Sequence, residues 1–348
     1  METRTIVLNK ARNVTLTAYL QPVDGSFDFI GRRPAVLILP GGGYQHCSER
    51  EADPVAFAYL KAGYQAFILR YSVATDSTWP NPLNDCDQAL ALIRGNADKW
   101  GLYPDKVAVA GFSAGGHLAA ASATMGGERP DAAILGYAVA GSDVRSCNLS
   151  APDCTEAVDG HTCPCFVFAA RDDGLVPVMN SIKFIEALTE HDVSFESHIY
   201  SYGGHGFSTG NVSAQTATKP RSARVPDWVD DSIGWLGEVF GTFDGEGGMT
   251  EPVVAGHVNG NWEPYLSADC TIEKLMSVPE SFDIVDPLFD EVRVDSSSEG
   301  ELTAEERQET IDSVASMTLS KALSYAGVSE EDMAELDEEL RAIRNPSV

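Results

Sequence analysis

The sequence predicts an α/β fold with a mostly parallel central sheet, helices on both of its faces, and a small acidic helical C-terminal appendage. Three observations predict it. Short, near-continuous apolar runs alternate with longer helical patterns, as in strands that crossover helices bury on both faces. One such run, Val107–Ala110, leads directly into Gly111-Phe112-Ser113-Ala114-Gly115-Gly116-His117 and then Leu118-Ala119-Ala120-Ala121, which reads as strand, sharp turn and helix. Composition then changes at Phe243-Asp244-Gly245-Glu246-Gly247-Gly248, and from Phe243 onward 25 of the 52 acidic residues but only 6 of the 24 basic ones occur.

The elements follow in order. Val14–Leu20 alternates like an edge strand. Ala35–Leu39 and Gln65–Leu69 are apolar throughout and read as central strands. Pro54–Ala62 between them reads as a helix closed by Gly63, and Leu83–Trp100 as a second helix stopped by Gly101. Further strands are expected at Ala132–Val139, Pro164–Ala170 and Ser194–Tyr202, with helices at Asn180–Glu190 and Asp227–Phe240. The expected division is a catalytic domain over 1–242, a glycine-containing linker over 243–270, and an acidic helical segment over 271–348. That segment shows helical patterns at Thr271–Met276, Thr303–Ser316 and Ser329–Arg344. Met333, Leu336, Leu340 and Ile343 recur at helical spacing, so this stripe needs a partner, either in the same chain or in a second subunit of a homo-oligomer.

Composition excludes several function classes. A net charge of −28 repels nucleic-acid phosphates and anionic membranes, so neither is an expected partner. No apolar run reaches the roughly 18 residues of a membrane span. The start of the chain, through Ile6-Val7-Leu8, is too short and too soon interrupted for a secretory segment, so a cytoplasmic location is expected. Seven cysteines in a long chain read as reduced thiols. Cys163-Pro164-Cys165 has no second pair to complete a metal site, and neither a metal nor an organic cofactor is expected.

The segment around Ser113 carries the chemistry. A serine in such a turn is held at a strained position with its hydroxyl exposed above the sheet, the nucleophile elbow of the α/β-hydrolase fold. Its hydroxyl is a poor nucleophile without a base, and the base needs an orienting carboxylate. In this fold the acid follows the serine and the histidine comes last, each in a loop after a strand. Asp173 stands in Asp-x-x-Val-Pro after the strand ending at Ala170; Asp172 is a neighbouring rival and Asp143 a third candidate. His205, flanked by glycines in Gly203-Gly204-His205-Gly206, follows the last strand. His117, His191 and His198 are expected to be structural. Acyl transfer also needs donors for the developing oxyanion. The backbone amides of Ala114, Gly42 and Gly43 are the candidates, the last two in Pro40-Gly41-Gly42-Gly43-Tyr44, which lacks the lysine of a phosphate-binding loop. Tyr44 and Trp79 are expected to contact substrate.

With these residues placed, the chain over 1 to about 240 resembles esterase/lipase-type α/β-hydrolases, and in particular bacterial acetylxylan esterase-like and feruloyl esterase-like proteins. The resemblance rests on Gly41-Gly42-Gly43-Tyr44, Ser48-Glu49-Arg50-Glu51, Leu69-Arg70-Tyr71-Ser72-Val73, Gly111–His117, Asp173–Pro177 and Gly203–Gly206. Pro40 departs from the histidine that many relatives carry before the glycines. The resemblance implies hydrolysis of short-acyl esters, acetylated carbohydrate foremost, through an acyl-enzyme on Ser113. An amidase, arylformamidase or peptidase would use the same triad, and a non-catalytic binding protein would use only the scaffold.

Overall fold

The computed structural model describes residues 1–27, 29–214, 222–290 and 303–348. It divides into two compact units, Met1–Gly256 and His257–Val348. Among the described residues, no helix is long and apolar enough to cross a membrane.

The first unit is built on a sheet of β1 (Glu2–Asn9), β2 (Val14–Leu20), β3 (Arg33–Leu39), β4 (Gln65–Arg70), β5 (Leu102–Phe112), β6 (Ala132–Gly136), β7 (Cys165–Ala170) and β8 (Phe195–Tyr200). Their spatial order is β1-β2-β4-β3-β5-β6-β7-β8. β1, β2 and β4 pair antiparallel, and β4 through β8 run parallel. The pleat sorts side chains between two cores. Ala35, Leu37, Leu39, Val107 and Val109 face one layer, with α2 (Asn81–Gly95), α4 (Ala114–Met125) and α5 (Met179–Glu190) packed on it. Val36, Ile38, Ala108 and Ala110 face the other, covered by α1 (Asp53–Lys61) and α6 (Asp227–Phe240).

Local chemistry explains where elements depart from expectation. The long helix over 83–100 is broken at Asn96, whose side-chain amide turns back to donate to Leu92 O at 2.8 Å; α3 (Ala97–Trp100) then ends on left-handed Gly101. β6 stops at Gly136 rather than 139, because Tyr137 takes φ +36°. β1 was not anticipated: it is an edge strand whose side chains are largely exposed or half-buried, so no apolar run marks it.

Residues 243–270, expected to be a linker, are shared between the units. The Asp244 carboxylate accepts from the N–H groups of Glu246 and Gly248 at 2.7 and 3.0 Å, which folds the glycine-rich stretch into a tight turn. Val253 and Val254 then donate to Glu238 O at 2.7 and 3.0 Å, so the chain to Gly256 remains part of the first unit. The second unit holds α7 (Ile272–Ser277), α8 (Pro279–Val285), α9 (Ala304–Val314), α10 (Leu319–Tyr325) and α11 (Glu330–Leu340). Thr271, Thr303, Thr318 and Ser329 cap four of these helices through their hydroxyls. The stripe Met333, Leu336, Leu340 and Ile343 packs on Leu266, Ile272, Leu275 and Leu319 within this unit.

Candidate active site

The site lies where the strands end at their carboxyl side. Ser113 joins β5 to α4 with φ 53° and ψ −117°, a conformation that costs roughly 1–3 kcal/mol and must be held by its surroundings. Its N–H donates to Gly136 O at 3.0 Å and its carbonyl accepts from His117 N–H at 2.9 Å. A Cβ on Gly115 would sit 2.1 Å from Leu39 O, so only glycine lets α4 start this close to the end of β3.

Three side chains form one hydrogen-bonded line. His205 Nε2 lies 2.9 Å from Ser113 Oγ, and His205 Nδ1 lies 2.7 Å from Asp173 Oδ2. The Asp173 carboxylate is buried, and its Oδ1 accepts from the N–H groups of Leu175 and Val176, both at 2.9 Å. Facing a carboxylate, Nδ1 carries the ring proton, which leaves the Nε2 lone pair toward the serine hydroxyl. An imidazole so placed can take the hydroxyl proton as the oxygen attacks.

Asp172 and Asp143 are held elsewhere. Asp172 Oδ1 accepts from Gly203 and Gly204 N–H at 2.8 and 2.9 Å, and these bonds, Gly204 first, hold its carboxyl below the usual range. Asp143 accepts from Asn180 Nδ2 at 2.9 Å. His198 pairs with Glu196, and His191 with the carbonyl of Ala187.

Above Ser113 opens a cleft of about 370 Å³. Gly42, Gly43 and Ala114 line it beside Ser113 and His205. The amides of these three residues donate to no acceptor among the described residues, whereas Gly41 N–H is committed to Glu51 Oε2 at 2.9 Å. Gly42 has φ +132°, and a Cβ there would fall 2.1 Å from His46 O, so the turn requires glycine. The cleft wall is apolar at Val139, Cys147, Leu175 and Val176 and polar at His46, Arg50, Asp143 and Ser146.

Two residues expected at the substrate are placed otherwise. Tyr44 is fully buried, and its hydroxyl meets His117 Nδ1 at 2.7 Å. Trp79 is half-buried, with its ring edge-on to His117 at 5.5 Å. His117 is itself fully buried; its Nε2 donates to Pro152 O at 2.8 Å, and burial lowers its pKa to about 4. Sequence reasoning missed roles for Arg50, Glu51 and Tyr137. The first two stand in Ser48-Glu49-Arg50-Glu51, whose signal was visible without a chemistry attached; Tyr137 carried none.

Comparison with known proteins agrees with the fold. Residues 29–151 match the BD-FAE family. The chain is 42% identical to MGS-M1, an α/β hydrolase from a Medee basin deep-sea metagenome library, with a TM-score of 0.65 over 69% of this chain and 98% of that one. The chain belongs to the esterase-type α/β-hydrolases. Among curated relatives of this α/β-hydrolase, the acetylxylan esterase of Xylanibacter ruminicola is 34% identical over 51% of this chain and 41% of that protein. Endo-1,4-beta-xylanase B of Butyrivibrio fibrisolvens is 29% identical over 52% of this chain and 33% of that protein. The α/β-hydrolase chain thus spans less than half the length of the curated relatives it matches.

Proposed function

We propose that this protein is a serine carboxylic ester hydrolase that removes short acyl groups, acetyl foremost, from a polar alcohol such as a carbohydrate. The observation that carries this reading is the unbroken line Ser113–His205–Asp173 at the floor of a cleft lined by uncommitted amides. Ser113 Oγ attacks the ester carbonyl carbon while His205 Nε2 takes its proton. The carbonyl oxygen becomes an oxyanion and accepts from the amides of Ala114, Gly42 and Gly43, each donor contributing about 3 kcal/mol to the transition state. Collapse expels the alcohol, which takes the proton from His205 and leaves an acyl ester on Ser113. Water, deprotonated by the same imidazole, repeats the steps and releases the acid. Every proton and electron pair in this sequence is carried by the triad, the ester and water.

The substrate class is supported by a cleft wall that is part apolar and part polar. Val139, Cys147, Leu175 and Val176 offer an apolar recess for a small acyl chain, while His46, Arg50, Asp143 and Ser146 offer hydrogen bonds to an alcohol rich in hydroxyls. The acetylxylan esterase relative points to the same class. The test is twofold: labelling of Ser113 by a fluorophosphonate, lost in Ser113→Ala, and release of acetate from acetylated xylo-oligosaccharides. Faster cleavage of the matching acetamides than of the esters rejects the reading in favour of an amidase.

A further inference from the structure

We propose that Glu51 is a positioning residue for this hydrolysis, tying the glycine loop that supplies oxyanion donors to the loop that carries His205. The proposal rests on the esterase reading of the Ser113 site. Glu51 ends a single turn, Glu49–Glu51, that leads into α1, and it is only 3% exposed. Each carboxylate oxygen serves a different loop. Oε2 accepts from Gly41 N–H at 2.9 Å, and Oε1 accepts from the Tyr137 hydroxyl at 2.7 Å. That hydroxyl in turn accepts from Ser208 N–H at 3.0 Å, three residues beyond His205. Burial, reinforced by the Glu51 charge, pushes the Tyr137 phenol well above its usual range, so it keeps its proton and donates.

The same turn holds the histidine loop a second way. Arg50 donates to Gly206 O at 2.9 Å, and the Ser208 hydroxyl donates to Arg50 O. Ser208 sits at φ +49°, a costly position for a residue with a Cβ, so the loop after His205 relies on its neighbours to hold its shape. The Tyr137 ring stands edge-on to the His205 ring at 5.1 Å. A buried carboxylate is a poor source of stability, since its desolvation offsets much of what it gains. What it supplies here, and an apolar side chain would not, is two acceptors facing donors from two loops. With Gly41 N–H fixed, the next two amides, Gly42 and Gly43, are set beside Ser113.

Oxyanion donors act on the transition state, so displacing them lowers kcat more than it raises KM. The test uses the full chain, 4-nitrophenyl acetate as substrate, and an aryl trifluoromethyl ketone, whose serine adduct mimics the tetrahedral intermediate. Glu51→Ala should lower kcat about 100-fold with little change in KM and raise the Ki of the ketone in parallel. Glu51→Gln should recover much of the loss, since its amide oxygen can still accept from Gly41 and its amide nitrogen can donate to the Tyr137 oxygen. Tyr137→Phe, which frees only the histidine loop, should fall between. A folded Glu51→Ala protein with wild-type kcat and Ki, or one altered in KM alone, overturns the proposal. If Glu51→Ala does not fold, wild-type kinetics in both Glu51→Gln and Tyr137→Phe overturn it. A wild-type protein that neither hydrolyses the ester nor binds the ketone overturns the esterase reading instead.

Discussion

Asp173→Asn is the most informative substitution, because the structure dictates which way the new amide must face. Asp173 Oδ1 accepts from two backbone amides, Leu175 and Val176, at 2.9 Å each. An asparagine turned the other way would set its NH2 against both donors and leave two buried N–H groups unpaired, at about 1–3 kcal/mol each. The carbonyl oxygen therefore stays on the amides, and the NH2 takes the place of Oδ2, 2.7 Å from His205 Nδ1. Nδ1 must then accept, and the ring proton moves to Nε2, which faces Ser113 Oγ and can no longer take its proton. With the tautomer wrong and the geometry intact, kcat should fall about 10⁴-fold, or about 5 kcal/mol in barrier. Asp172→Asn is the control. Its oxygen keeps both bonds to Gly203 and Gly204, so turnover should stay near wild type. The assay is kcat on an aryl acetate, with fluorophosphonate labelling of Ser113 as a second readout. An Asp173→Asn enzyme within about ten-fold of wild type, or an Asp172→Asn enzyme hit equally hard, refutes the orientation argument.

Three further expectations follow from the geometry. His117 has its pKa lowered to about 4 by burial, against an ordinary value near 6.5, so the unfolded chain binds the proton first and stability is lost as pH falls from about 6.5 toward 4. Between pH 7 and 5 wild type should therefore lose about 2 kcal/mol more than His117→Gln in urea unfolding followed by tryptophan fluorescence; four of the five tryptophans report the first unit, and parallel losses contradict the expectation. The apolar part of the cleft wall is limited to a few side chains, Val139, Cys147, Leu175 and Val176, so acetyl should be favoured over octanoyl esters in kcat/KM, and the reverse order rules out a short acyl recess. A chain ending at Gly256 should keep its activity on 4-nitrophenyl acetate, whereas one ending at Thr242 should melt lower, because it loses the bonds from Val253 and Val254 to Glu238 O; equal melting temperatures speak against that packing.

Most of the parallel sheet was legible because its strands are apolar throughout, and the elbow because a strand, a glycine-bounded serine and a small-residue helix coincide. The line from Ser113 to Asp173 was legible as chain order and loop placement. What escaped the sequence was polar chemistry settled in three dimensions. Asp173 was favoured over Asp172 by its Asp-x-x-Val-Pro setting, but the partners of each, glycine amides for Asp172 and an imidazole for Asp173, emerge only once the loops are placed. β1 escaped because an edge strand with exposed side chains has no apolar signature. The helices at Pro279–Val285 and Leu319–Tyr325, each 7 residues long, were not anticipated.

Tyr44 shows how the motifs become one device. Its place after Gly43 suggested a side chain for substrate, yet at φ +57° the ring turns inward and the hydroxyl meets His117. His117 donates through Nε2 to Pro152 O, a group that only accepts, so its Nδ1 must accept from Tyr44. His117 lies one turn beyond Ser113 on α4, so this bond ties the glycine loop to the helix of the nucleophile. Glu51 ties the same loop, on its other side, to the loop of His205 through Tyr137 and Ser208. The Gly-Gly-Gly-Tyr, Ser-Glu-Arg-Glu and Gly-Phe-Ser-Ala-Gly-Gly-His segments are therefore not independent signatures. Each supplies a donor or acceptor that another requires, and the uncommitted amides at Gly42 and Gly43 are left between two fixed ends. A substitution in one segment should then act through the others, and Glu51→Gln combined with Tyr44→Phe should cost more in kcat than the two single losses multiplied, as expected of groups sharing one loop.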